Sequence, residues 1–181
     1  MENIIFLVAF AIFCGKEVSA HDYFREPSVK IGNTVLICKK NIDVYRIYNA
    51  TNDTTSFKWK EGTSLFNVKL KSQREIHTVF NEVFSHERLK ELSESDIRLC
   101  VSFYVNNRGV LFQTGFLIPI DSKILPSELA KLDFLMKQRF LFTTDEFERS
   151  GSEKVVFSYL IRYEKIISGE KIFFWNEWEH P

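Results

Sequence analysis

The chain reads as an α+β protein, a largely antiparallel sheet with two main helices packed on it. Three observations predict this. Period-two runs recur at Ser64–Lys71, Ile97–Val105 and Val155–Tyr163, and alternation of apolar and polar side chains marks a half-buried strand. Two stretches carry apolar residues at helical spacing, Ile76–Phe84 and Leu129–Phe140. The order is strands, helix, hairpin, helix, strands, which groups like elements as α+β folds do.

The N-terminus comes first. Ile4–Phe13 is a run of ten apolar residues, too short for a bilayer span of about 20. Val18-Ser19-Ala20 follows, with small residues where a signal peptidase reads them. Residues 1–20 therefore read as a secretory signal peptide, with His21 as the first mature residue. Met1-Glu2-Asn3 lacks the usual basic residue, and Lys16 lies beyond the apolar run; the alternative is a buried N-terminal helix or strand. A lipoprotein reading of Cys14 wants a small residue before it, and Phe13 stands there. Cleavage after Ala20 predicts an exported chain, periplasmic or extracellular. Residues 21–181 then form a single α+β domain with no membrane span.

His21–Val29 has no clear period and reads as a lead-in. Thr34–Lys39 and Asp43–Tyr48 are β-branched and aromatic, hence strands, with Lys40-Asn41 as the turn between them. Asn49–Thr55 is a loop of polar turn-formers. It holds two glycosylation sequons, at Asn49 and Asn52, which matter only in a glycosylating eukaryote. Ser64–Lys71 alternates, with Phe66, Val68 and Leu70 on one face.

Ser72-Gln73-Arg74-Glu75 fits a capping box. Ile76, Val79, Phe80, Val83 and Phe84 then give one helix face. Ser85–Leu92 either continues this helix or starts another. Ile97, Leu99, Val101, Phe103 and Val105 share one strand face; Arg98, Cys100, Ser102 and Tyr104 share the other. Asn106-Asn107-Arg108-Gly109 closes a hairpin with Val110–Ile118, because Asn and Gly tolerate positive φ. Pro126 opens a helix striped by Leu129, Leu132, Met136 and Phe140. Ser150-Gly151-Ser152 breaks the chain before Val155–Tyr163. Ser168-Gly169 is a turn, and Lys171–Trp178 pairs back as a last strand.

Without residues 1–20, the 24 basic and 24 acidic residues become 23 and 22. So even a balance excludes the strongly basic footprint of a nucleic-acid protein. The 18 Phe residues fall mostly at core-facing positions. Cys38 and Cys100 survive cleavage, each inside a strand-like run. They are either a disulfide of an exported protein or two free thiols packed as small hydrophobes.

Ile97-Arg98-Leu99-Cys100-Val101-Ser102-Phe103-Tyr104-Val105 runs as an alternating strand into the Asn106–Gly109 turn. A helix over Ser127–Phe140 and a strand over Val155–Tyr163 follow, in β-β-α-β order. From about Asp96 to Tyr163 this resembles the C-terminal domain of TonB-like periplasmic proteins, which implies such a core over about 72–163. The chain shows no Pro-rich spanning linker and no retained anchor, so the resemblance implies the fold and not energy transduction. The whole chain also resembles small exported proteins of Gram-negative envelopes.

Local catalytic signatures are missing. The histidines are His21, His77, His86 and His180, with no H-E-x-x-H, C-x-x-C or H-x-H. His77 and His86 lie off the apolar stripe, nine residues apart, and read as solvent-exposed. His21, as a free N-terminus, could chelate copper through its amine and imidazole. There is no G-x-S-x-G elbow and no Gly-rich phosphate loop. Asp145-Glu146 reads as solvated. Trp175 and Trp178 read either as a buried edge or as a sugar-stacking pair.

The expected function is that of an exported envelope protein acting as a non-catalytic protein-interaction module. It needs no cofactor or metal, and its partner is an envelope protein. The alternatives are a small-ligand or glycan binder, and then a hydrolase with a spatially assembled site. The candidate contact residues are Arg98, Ser102, Tyr104 and Gln113, on the hairpin face away from the apolar row. Tyr104 leads them, because Tyr gives large contact area at low entropy cost.

Overall fold

Alternation along one strand sets the architecture. In the strand Leu99–Asn106, Leu99, Val101, Phe103 and Val105 are buried, and Cys100, Ser102, Tyr104 and Asn106 between them are half-buried. A computed structural model describes residues 23–51, 68–95, 98–143 and 154–172. The described elements, in chain order, begin with β1 (Ser28–Ile31), β2 (Thr34–Asn41), β3 (Val44–Asn49), α1 (Arg74–Val83) and α2 (His86–Glu94). Then come β4 (Leu99–Asn106), β5 (Leu111–Pro119), α3 (Pro126–Arg139), β6 (Lys154–Ile161) and α4 (Tyr163–Ser168). The six strands form one sheet in the order β1-β2-β3-β5-β4-β6, and every neighbouring pair is antiparallel. The fold is α+β, as the sequence predicts. No described helix is long and apolar enough to cross a membrane.

The β4–β5 hairpin forms where alternation and turn chemistry agree. Gly109 takes φ 74°, a left-handed conformation that costs Gly nothing. Asn106 Oδ1 accepts from the Arg108 and Val110 amides at 3.0 and 3.1 Å, closing the turn. One sheet face packs against α3. There Phe103 contacts the rings of Phe140, Phe142, Phe157 and Tyr159 at centroid distances of 5.2–5.9 Å. Burying a ring of that size is worth about 3 kcal/mol.

A polar clamp fixes α3 on this face. The Asp133 carboxylate, 3 % exposed, accepts from Thr114 Oγ1 on β5 and from Asn49 Nδ2 on β3 at 2.9 Å. Lys137, one turn along α3, completes it at 2.8 Å. Arg88 on α2 ties the start of α3 in the same way, with Nε donating to Glu128 Oε1 at 2.8 Å and Nη1 to Glu91 Oε2 at 2.7 Å. α1 and α4 meet in an aromatic cluster, with Tyr163 edge-on to Phe80 and Phe84.

Several elements depart from the sequence reading. The lead-in His21–Val29 contains the start of β1, a strand whose four residues are too few to show a period. The β2–β3 turn is Ile42-Asp43, not Lys40-Asn41, because Asn41 still pairs with Val44 and its Oδ1 takes the Ile42 amide. The expected capping box at Ser72 does not form: Gln73 is the N-cap of α1, and no side chain caps it. Ser85 caps a separate α2 by accepting the Arg88 amide. Tyr163 does not continue β6; it opens α4, which Gly169 ends at φ 71°.

The disulfide alternative is corrected. Cys38 and Cys100 are free. β3 and β5 separate their strands, which puts them about 14 Å apart at the usual strand spacing, whereas a disulfide needs Cα atoms within about 7 Å. They also lie on opposite faces. Cys38 pairs with the buried Ile47 and Cys100 with the half-buried Leu117. The leader, the Asn52 sequon, Asp145-Glu146, Ser150–Ser152, Phe66, His21, His180, Trp175 and Trp178 lie outside the described residues.

Candidate functional site

The other face of the sheet carries the site. Cross-strand pairing builds it row by row, since residues directly opposite one another share a face. Tyr48, Gly115, Ser102 and Ser158 form one row across β3, β5, β4 and β6. Arg46, Leu117, Cys100 and Leu160 form the next, and Gln113, Tyr104 and Val156 a third. Lys39 of β2 stands directly opposite Arg46. Among the described residues no helix packs on this face.

A cavity of about 780 Å³ lies over the rows, within the range of small-ligand sites. Its lining includes Lys39, Arg46, Tyr48, Ser102, Tyr104 and Gln113. Gly115 is part of the lining, in the middle of the three rows; a Cβ there would meet Ser102 Cβ at 3.7 Å and Tyr104 Cε2 at 3.9 Å, ordinary contacts. The absent side chain is depth, not relief of a clash. Ser102 and Ser158 hydroxyls share a hydrogen bond of 2.8 Å on the floor. Tyr104 stands edge-on to Phe112, over which Lys154 sits at 5.4 Å.

Two features give the site its chemistry. The first is Gln113. It borders the cavity, is 1 % exposed, and neither its amide oxygen nor its nitrogen has a hydrogen-bond partner. An orphaned buried amide costs about 1–3 kcal/mol, and native structures rarely keep one without a reason. The second is charge. Lys39, Lys40 and Arg46 line the cavity, and among the described residues its lining contains no Asp, Glu, His or Cys. Lys39 Nζ lies 5.5 Å over the Tyr48 ring.

Of the residues expected to make contact, Ser102, Tyr104 and Gln113 are brought together at this cavity. Arg98 is exposed just before β4 and does not line it. Lys39, Arg46, Tyr48 and Ser158 were missed. The sequence signal for Lys39, Arg46 and Tyr48 is the β2–β3 hairpin register, which a turn placed at Lys40-Asn41 conceals; Ser158 lies on β6, in the alternating run Val155–Tyr163. His86 is exposed as expected, but His77 is half-buried with Nδ1 sealed and unpartnered. Among the described residues no three His, Cys, Asp or Glu side chains come together as metal ligands. Burial pushes the Cys38 thiol up to about 11 and raises that of Cys100 as well.

No family model matches the chain, and no curated protein matches it in sequence. The fold itself has a solved counterpart. A crystal structure of a DUF5043 family protein from Bacteroides uniformis superposes with a TM-score of 0.62 at 12 % identity, covering 77 % of this chain and 86 % of that one. At that identity the likeness is one of fold alone.

Proposed function

We propose that the protein is an exported, non-catalytic binding protein that holds a small ligand on the open face of its sheet. The observation that carries this reading is the cavity floored by Gly115 and bordered by the unpartnered amide of Gln113. A concave site with a few placed polar groups suits a small molecule, whereas a protein partner usually takes a flatter and larger surface. This favours the ligand-binding alternative over the protein-interaction module that the sequence suggested first. Among the described residues the lining has lysine, tyrosine, serine and amide groups for hydrogen bonding but no carboxylate, imidazole or thiol. Those are the common groups of acid–base and nucleophilic catalysis. Export rests on the leader Ile4–Ala20.

The test is a small-molecule fragment screen by amide NMR on the full chain. Hits are expected to shift Tyr48, Ser102, Gln113 and Gly115 together. Hits confined to the helices, or a hydrolytic turnover abolished by one Ser or His substitution, would overturn the reading. Export has its own test in intact mass: protein recovered from the native host should begin at His21.

A further inference from the structure

We infer that the ligand of this cavity is an organic anion with an apolar body, its charged head held between Lys39 and Arg46; the inference rests on the binding-site reading above. Lys39 and Arg46 are direct cross-strand partners on β2 and β3, and like charges placed so close repel. A protein that needed only stability would set an acid beside them. Here the neighbour of Arg46 on its other side is Leu117, on β5. None of the described residues lining the cavity is acidic. The Arg46 guanidinium makes no hydrogen bond or ion pair with any described residue, and the Lys39 ammonium has only the Tyr48 ring beneath it. An anion set between the two cations turns their repulsion into two charge-assisted hydrogen bonds, the strong kind.

The remainder of the lining fits the other end of such a molecule. Leu117 and Val156 are apolar, and Tyr104 offers a ring face or edge. Gln113 lies in the third row, away from the cations. Its amide is closed off from solvent, so it reaches a ligand only when the side chains over it move aside. The inferred ligand is therefore amphipathic: an anionic head at the β2–β3 end and an apolar body along β5 and β4.

Two dyes with one body isolate the charge. 8-Anilinonaphthalene-1-sulfonate carries a sulfonate; N-phenyl-1-naphthylamine is the same body without it. Each is titrated by fluorescence into the full chain and into a Lys39→Gln/Arg46→Gln variant. Dye held elsewhere on the chain cancels in the difference. The sulfonate dye is expected to bind at least roughly tenfold more tightly than the neutral one, as charge-assisted bonds allow. The double substitution should remove that advantage and leave the neutral dye within about twofold. Gly115→Leu and Ser158→Trp, each filling the cavity from a different strand, should weaken both dyes.

The failures separate. If both dyes bind equally and Lys39→Gln/Arg46→Gln changes neither, while Gly115→Leu weakens both, the anion inference falls and the cavity stands. If neither dye binds, or binding ignores both filling variants, the cavity reading falls and the inference goes with it. Circular dichroism and melting of each variant establish that it is folded.

Discussion

Phe103 and Tyr104 are consecutive residues of β4 that face opposite ways. Phe103 is 2 % exposed and surrounded by four rings of the helix-covered face, with Thr114 opposite it under Asp133. Tyr104 lines the cavity, opposite the unpartnered Gln113. On the covered face the one buried charge among the described residues, Asp133, has three partners. On the open face cations stand side by side and a buried amide has none. The difference teaches where each side of the sheet spends its polar groups. One side uses them to fasten a helix, and the other leaves the Arg46 guanidinium and the Gln113 amide without a described partner.

Substitutions test that contrast, and the largest effect belongs to the covered face. Phe103→Ala should cost about 3–5 kcal/mol, the range for a buried aromatic truncated to Ala. Tyr104→Ala, one residue on, should cost less than about 1.5 kcal/mol and weaken ligand binding instead. Urea unfolding of both variants measures the first difference. Comparable losses at the two positions would break the contrast.

Next is Asp133→Ala. It strips three donors of their acceptor at once, and losing one member of a buried charged cluster typically costs about 3–5 kcal/mol. Arg46→Gln, on the open face, should stay within about 0.5 kcal/mol of wild type, as surface substitutions do.

A smaller effect of opposite sign is expected at Tyr163. Its hydroxyl is buried without a partner, and burial holds it far above the usual phenol range. Tyr163→Phe should be neutral or stabilising by about 1 kcal/mol, because it removes an unsatisfied group at constant shape. A loss above that size would show that the hydroxyl has a partner.

The smallest effect is in alkali. The Cys38 thiol is raised by burial to about 11, so its folded-state value lies above its unfolded one. Its contribution to stability is complete below about pH 9 and is lost as pH rises through about 11. Cys38→Ala should flatten that decline. Reduction should leave the protein's mass and melting unchanged, since the two thiols are free.

The sequence made some of this contrast legible. Strict alternation in β4 and the Asn106–Gly109 turn yield the central hairpin and place Ser102, Tyr104 and Gln113 on one face. The stripe Leu129, Leu132, Met136 and Phe140 yields α3, and all four are buried. Short or switching elements were not legible. β1 has four residues, and Tyr163 keeps the parity of β6 while its backbone turns into α4. The cavity escaped for a different reason. Its lining comes from β2 to β6, and only the strand order β2-β3-β5-β4-β6 brings Lys39 and Arg46 to the same depression as Ser158. Spacing in one dimension carries no record of that order, and the basic pair Lys39-Lys40 reads as solvated surface until it does. The same order is why two cysteines in strand-like runs are not a bridge.

The Asn49 side chain carries one more consequence. Its nitrogen, which donates to Asp133 at 2.9 Å, is the atom an oligosaccharyltransferase would modify in the sequon Asn49-Ala50-Thr51. In a glycosylating cell the sugar and the helix would compete in time for the space around one atom. A chain that docks α3 before the enzyme arrives keeps its clamp unchanged; one glycosylated first keeps the Thr114 and Lys137 contacts but must seat a sugar beside the one N–H left on Asn49. The choice of expression host is thus a choice between two populations, and a bacterial host yields only the first.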